Sequence, residues 1–267
     1  MRFPAVQGVI ERRLLVNFRA DPAAVSRLLP RPFEPIVVGK VGEVGGDGGH
    51  AIVGICLIRL GGIRPAFLSS LGPALRERCG LRSENAAHRI AVRWRDGNQS
   101  GSPYKEGVYI PRRDSSSRFN ALVGGRLFPG LHHRAAFRVA ENVPRLDIEM
   151  KSEDGSTSLE VRGRVSESWP AGSVFNDLAE ASAFFERGSL GYSATNKLGT
   201  FDGLELRCRG WAVEPVEMES VRSSFFEDAE VLPRGSVEFD CALLMRNIAH
   251  EWHGRGQMCC EEACAAA

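Results

Sequence analysis

The sequence predicts a mostly β (α+β) fold, an antiparallel barrel or two curved sheets with a few short helices. Three observations predict it. Apolar runs of strand length recur along the whole chain, in places at the short intervals typical of antiparallel sheets. Helical patterning is scarce. No linker, repeat or heptad divides the 267 residues, a length that β-rich folds commonly keep as one domain. A single domain is therefore expected over residues 1–256, followed by a disordered Cys/Ala tail at 257–267.

Taken in order, residues 9–19 read as a strand interrupted by arginines. Asp21 and Pro22 start a helix over 22–29, with Asp21 as N-cap and Pro22 at the first helical position, and Pro30 stops it. A Pro-rich link at 30–35 feeds a short strand, Ile36-Val37-Val38. The glycine-rich stretch from Gly42 to Gly49 lacks the Gly-Lys-Ser/Thr or G-x-G-x-x-G pattern of a phosphate loop and reads as a hairpin tip. Ala51 to Leu60 is almost continuously apolar, as in a strand covered on both faces. Residues 64–80 hold Pro65 and Pro73 and read as short helical turns. Strands from Ala86 to Trp94 and from Gly107 to Ile110 bracket a polar hairpin loop, and the second runs into a Pro-Arg-Arg turn. Strands follow at 133–140, 145–151 and 158–166. A helix is expected from Ser173 to Arg187, capped by Ser173, with Phe175, Leu178, Ala179, Ser182 and Phe185 along one face. Further strands fall near 204–209, 211–219 and 236–245.

With 43% hydrophobic and 25% charged residues, the composition is that of an ordinary soluble globular protein. A net charge of +1 supplies no concentrated basic excess for nucleic acid or an anionic membrane. No segment approaches the ~20 apolar residues of a membrane span, and the first residues carry no signal-length apolar run, which points to the cytoplasm. Seven cysteines, odd in number and irregular in spacing, agree with that compartment. Cys56, Cys208 and Cys241 read as small core residues, while Cys259, Cys260 and Cys264 crowd the tail. Lysine occurs only at positions 40, 105, 151 and 197, so 30 of the 34 basic residues are arginine. Few side chains here could serve as amine nucleophiles.

Three places carry a resemblance. The first runs from Val16-Asn17-Phe18-Arg19-Ala20-Asp21-Pro22 through Leu29-Pro30-Arg31-Pro32-Phe33-Glu34-Pro35. The second is Ser83-Glu84-Asn85-Ala86-Ala87-His88, and the third is Ile110-Pro111-Arg112-Arg113. Together they resemble the acetoacetate decarboxylase-like superfamily, and the chain looks most like an uncharacterised bacterial family within it, domain of unknown function 2071. The resemblance covers the first half well. The second half matches in outline, through Gly191-Tyr192-Ser193 and Val221-Arg222-Ser223-Ser224-Phe225-Phe226. It implies a barrel with an internal cavity. In the decarboxylases the third motif is Pro-Lys-Lys, whose first lysine forms a Schiff base with the keto acid; here both lysines are arginine.

The resemblance implies that Arg112 stands where the Schiff-base lysine would be and Arg113 where its neighbour would be. A guanidinium stays protonated and does not form Schiff bases, but its fork of donors suits a carboxylate. The alternative is a pair of surface arginines after a strand. Glu84 matches a pocket glutamate of the family, either an acid/base or a structural ion-pair partner of Arg112 or Arg89. Arg12 and Arg13 are the candidates for a further polar anchor. Tyr109, Arg118 and Asn120 complete the expected substrate contacts, the last two within a polar segment, 114–120, that lines a pocket or forms a solvated turn.

His250-Glu251-Trp252-His253 fails the H-E-x-x-H zinc motif because Gly254 holds the fifth position, although the two histidines could share a helix face. No metal and no cofactor is expected. The expected partner is a small carboxylate ligand; the sequence leaves a homo-oligomer open. Two functions compete: an enzyme acting on a keto or hydroxy acid, lyase- or hydratase-like and without a Schiff base, or a non-catalytic binder or sensor with the same pocket.

Overall fold

The computed structural model describes residues 5–39, 48–66, 81–95, 103–125 and 129–260. Thirteen strands among these join one sheet: β1 (Ala5–Ala20), β2 (Glu34–Pro35), β3 (Val37–Val38), β4 (His50–Pro65), β5 (Leu81–Arg95), β6 (Tyr104–Ser115), β7 (His133–Asn142), β8 (Arg145–Ser152), β9 (Ser158–Val165), β10 (Leu190–Ala194), β11 (Thr200–Arg209), β12 (Glu214–Ser223) and β13 (Val237–Cys259). Four short helices accompany them: α1 (Pro22–Leu28), α2 (Arg118–Val123), α3 (Leu178–Arg187) and α4 (Ser224–Glu227).

The sheet closes on itself twice. One ring runs β1-β4-β5-β6-β10-β11-β13 and returns to β1. The other leaves β6 through β7, β8, β9 and β12 and rejoins at β13. The rings share one wall, formed by β13, β1, β4, β5 and β6. The middle of that wall is buried on both faces, which is why β4 and the centres of β1 and β13 are apolar runs and not alternating ones. In β4, Val53, Ile55 and Leu57 pack into one core, and Ile52, Cys56, Ile58 and Leu60 into the other.

β6 is the branch. Its residues 108–110 pair in parallel with β10, and Asp114 and Ser115 pair in parallel with β7. The stretch expected to be a Pro-Arg-Arg turn is therefore strand throughout. Its register on β5 slips between His88 and Ile90, opposite Ile110 and Pro111. A proline cannot donate to the ladder, and such an irregularity is where a strand tolerates one.

The sequence reading departs from the structure at other ends too. Asp21 caps α1 as expected, accepting from the amides of Ala23 and Ala24. The later helix starts at Leu178, not near Ser173. Asp177 caps it, accepting from Glu180 N at 2.8 Å. Ser173 instead donates its hydroxyl to Asp240 at 2.7 Å, which ties the preceding loop to β13. β13 runs past Gly256 to Cys259, so the first residues of the expected tail belong to the sheet. His250 and His253 lie on this strand, where a separation of three places them on opposite faces and not on one helix face. Most of the expected glycine-rich tip, up to residue 47, and most of the expected helical turns at 64–80 lie outside the described residues.

Candidate functional site

Strand alternation sends neighbouring residues of the shared wall into different rings. Cα partners across the wall form rows. One row is Leu15–Cys56–Ala87–Arg113, across β1, β4, β5 and β6. Two residues along β1 from Leu15 is Arg13, and two along β5 from Ala87 is Arg89, so both share the face of that row. The interleaved row Arg12–Arg59–Glu84 faces the other ring.

The first face borders a cavity of about 160 Å³. Apolar side chains from β1, β4, β6 and β11 supply much of its surface, Val6, Ile58, Leu60, Ile110 and Leu206 among them, and Trp252 of β13 adds an indole. Against them stand Arg13, Arg89 and Arg113, with Ser83, Asn85, Asn120 and His132. Among the described residues no lysine lines it.

The three guanidiniums are poorly paired. Arg13 Nε donates to Cys56 Sγ at 3.4 Å and stands 5.6 Å over the Trp211 ring. Arg89 donates to Asn17 Oδ1 at 2.6 Å and lies 5.0 Å over the Phe185 ring. Arg113 Nε donates to Ser193 Oγ at 3.0 Å. Among the described residues none of the three meets a carboxylate. Burial pushes the pKa of Arg89 and of Arg113 down to about 10, so both remain cations at neutral pH. Leaving buried charges without counter-charge is costly, and an anionic ligand would remove that cost.

The one acidic residue among the described lining residues, Asp114, is engaged by Arg112, whose Nη2 donates to it at 2.8 Å. Burial raises the Asp114 pKa, against the pull of that arginine. His132 Nδ1 lies 3.1 Å from the carbonyl of Gly130. A carbonyl only accepts, so Nδ1 carries the proton. Burial, reinforced by the charge of Arg113, lowers the His132 pKa to about 3, and the ring is neutral. Gly130 has φ +80°, and a Cβ there would sit 2.8 Å from Ser193 Cβ and 3.2 Å from Arg113 Nε. Only glycine lets this loop close over the arginine.

The sequence-expected residues are not gathered in one place. Arg113 and Asn120 line the cavity; Glu84, Arg112, Tyr109 and Arg118 are not among the lining residues. Arg112 follows the alternation to the opposite side, where it holds Asp114 and, at 3.0 Å, Asp154. Glu84 faces away as well. Its Oε1 accepts from Arg59 and its Oε2 from Arg12, each at 2.5 Å, and Glu141 accepts from the same two arginines at 2.8 Å. The four side chains close a ring of ion pairs. The expectation that Glu84 and Arg112 face one cavity is thus corrected: the register sends Glu84 to the ion-pair ring and Arg112 to Asp114. Tyr109 is buried in an aromatic cluster, 5.4 Å from the Phe33 ring and 5.9 Å from that of Phe201. Arg118 is exposed at the start of α2.

Arg89 was legible only as an ion-pair partner and Cys56 only as a core residue. The overlooked signal was a charge inside an apolar strand, as in Ala86-Ala87-His88-Arg89-Ile90-Ala91-Val92. Such a charge needs either a partner or a cavity.

No protein-family model matches this sequence, and no curated protein matches it. Solved structures do share its fold. An acetoacetate decarboxylase-like enzyme from Sphingomonas wittichii RW1 superposes with a TM-score of 0.57 at 12% identity, covering 98% of this chain and 94% of that one. The acetoacetate decarboxylase of Legionella pneumophila subsp. pneumophila str. Philadelphia 1 gives 0.54 at 9% identity, over 94% and 86%. A further acetoacetate decarboxylase structure gives 0.52 at 13%, over 97% and 90%. At these identities the likeness is one of fold. Among the described residues no helix is long and apolar enough to cross a membrane.

Proposed function

We propose that this chain is a small-molecule-binding protein of the acetoacetate decarboxylase-like superfamily, akin to the uncharacterised domain of unknown function 2071 family, and that its barrel cavity holds a small carboxylated metabolite without Schiff-base chemistry. One observation carries the reading: three arginines border the cavity, and among the described residues none of them has a carboxylate partner and no lysine lines the cavity. A guanidinium matches a carboxylate with two parallel donors and cannot become the neutral amine a Schiff base requires. Arg113, Arg13 and Arg89 are the anion-binding residues, and Asn120 adds an amide to the same wall.

Within this reading, binding is favoured over turnover. General acid/base catalysis works best with a pKa near the operating pH. His132 is held at about 3, and Asp114 is committed to Arg112. Glu84, the acid/base the family resemblance suggested, has both oxygens occupied by Arg12 and Arg59.

The test pairs calorimetry with turnover assays, using acetoacetate, pyruvate and 3-hydroxybutyrate on the purified chain. Binding without consumption of the acid, and without an adduct after borohydride reduction, is the expected result. Absence of binding by every acid would overturn the reading. Turnover together with a stoichiometric adduct on one lysine would show that Schiff-base chemistry persists.

A further inference from the structure

We propose that the ligand of this cavity carries two carboxylates, a short dicarboxylate held between Arg13 and Arg89 at one end and Arg113 at the other. The inference rests on the reading of the cavity as a carboxylate site and fixes the charge of what fills it.

The first argument is charge balance. The described lining residues include three arginines and one aspartate, Asp114, whose carboxylate is held by Arg112, so the arginines leave an excess of at least two positive charges. Widening the count to Arg112 and its second partner Asp154 adds one cation and one anion and leaves the same excess. His132 does not change it, being neutral. A monocarboxylate would leave one buried cation uncompensated, at a cost that a second carboxylate removes.

The second argument is placement. Arg13 and Arg89 lie close enough for the charge of Arg13 to depress the pKa of Arg89. Arg113 acts on His132 instead. Arg89 reaches back to Asn17 on β1, the strand of Arg13, whereas Arg113 on β6 reaches Ser193 on β10. From β1 to β6 is three strand steps, about 14 Å along the wall at ~4.8 Å per step, before curvature and the long side chains bring the groups nearer. Two separated anionic groups fit two such stations better than one compact anion does. Between them the surface is apolar, with Ile58 and Ile110 suited to a short methylene chain. The cavity, about 160 Å³, is well below the size of a drug-sized site, which limits the chain to a few carbons.

The decisive experiment titrates the purified full chain with succinate, with butyrate (the same carbon chain bearing one carboxylate) and with inorganic phosphate. Succinate is expected to bind at least tenfold more tightly than butyrate, about 1.4 kcal/mol. Arg113→Met should bring the two acids to similar affinity, and Arg13→Gln should do so independently. Arg118→Ala, on the exposed helix, should leave the ratio unchanged. Butyrate binding the native chain as tightly as succinate would overturn this inference and leave the carboxylate site standing. Binding of neither acid would overturn both. Phosphate outcompeting succinate would overturn the dicarboxylate assignment.

Discussion

At the scale of single residues, the consequential choice is between Arg112 and Arg113. The motif is plain in the sequence, but which arginine reaches the cavity depends on whether the strand stops before Pro111 or runs through it. It runs through, so alternation turns Arg113 into the first ring and Arg112 toward Asp114 and Asp154. A paired substitution checks this. Arg113→Lys would place an amine in a cavity already holding Arg13 and Arg89, and neighbouring cations with burial depress a lysine pKa. Reduction with borohydride in the presence of acetoacetate should label Arg113→Lys and leave Arg112→Lys unlabelled. Labelling of Arg112→Lys alone would reverse the assignment.

At the scale of elements, the shared wall explains both what the sequence revealed and what it concealed. The apolar run in β4 announces a strand with two buried faces, and that reading holds. The same burial on both faces hides the orientation of each charge, because no solvent-facing side exists to set the phase of the alternation. The long strand pairings settle it through register, which is a property of neighbours distant in sequence. Helix α3 shows the same limit on a smaller scale: Ser173 and Asp177 are both plausible caps, and the contact with Asp240 on β13 takes Ser173 out of the competition. The ion-pair ring of Arg12, Arg59, Glu84 and Glu141 ties β1, β4 and β5 to β7. Glu84→Gln leaves Arg12, which is 1% exposed, short of counter-charge. It should lower stability by roughly 2–3 kcal/mol with carboxylate affinity unchanged. A calorimetric titration showing lost affinity at native stability would instead place Glu84 in ligand binding. The arginines of the cavity should behave oppositely. Arg113→Met removes an uncompensated buried charge, so the ligand-free variant should melt no lower than the native chain while losing carboxylate binding.

At the scale of the whole molecule, the two rings bury histidines as neutral rings. Burial brings His88 to about 3, with Arg112 adding to the effect, and His250 to about 4. His88 is fully buried against Ser223, 3.1 Å from its hydroxyl. The sign follows from the lowered values. Below the ordinary histidine pKa of 6.5 the unfolded chain takes up protons that the folded chain refuses. Their contribution to stability is complete above about 6.5 and is lost as pH falls toward the folded values, at roughly 1.4 kcal/mol per pH unit for each histidine. Denaturant midpoints measured from pH 7 down to pH 4 should therefore decline, and His88→Phe should flatten the decline. An unchanged slope in that variant would mean that His88 is protonated in the folded chain.

The most direct measurement is a crystal structure of the chain grown with succinate. The carboxylates should lie in the cavity of the first ring, one within hydrogen-bond reach of Arg113 and the other facing Arg13 and Arg89, with the ring of Arg12, Arg59, Glu84 and Glu141 intact. Succinate bound at Glu84 and Arg112, or a cavity occupied by water alone at saturating succinate, would contradict the account.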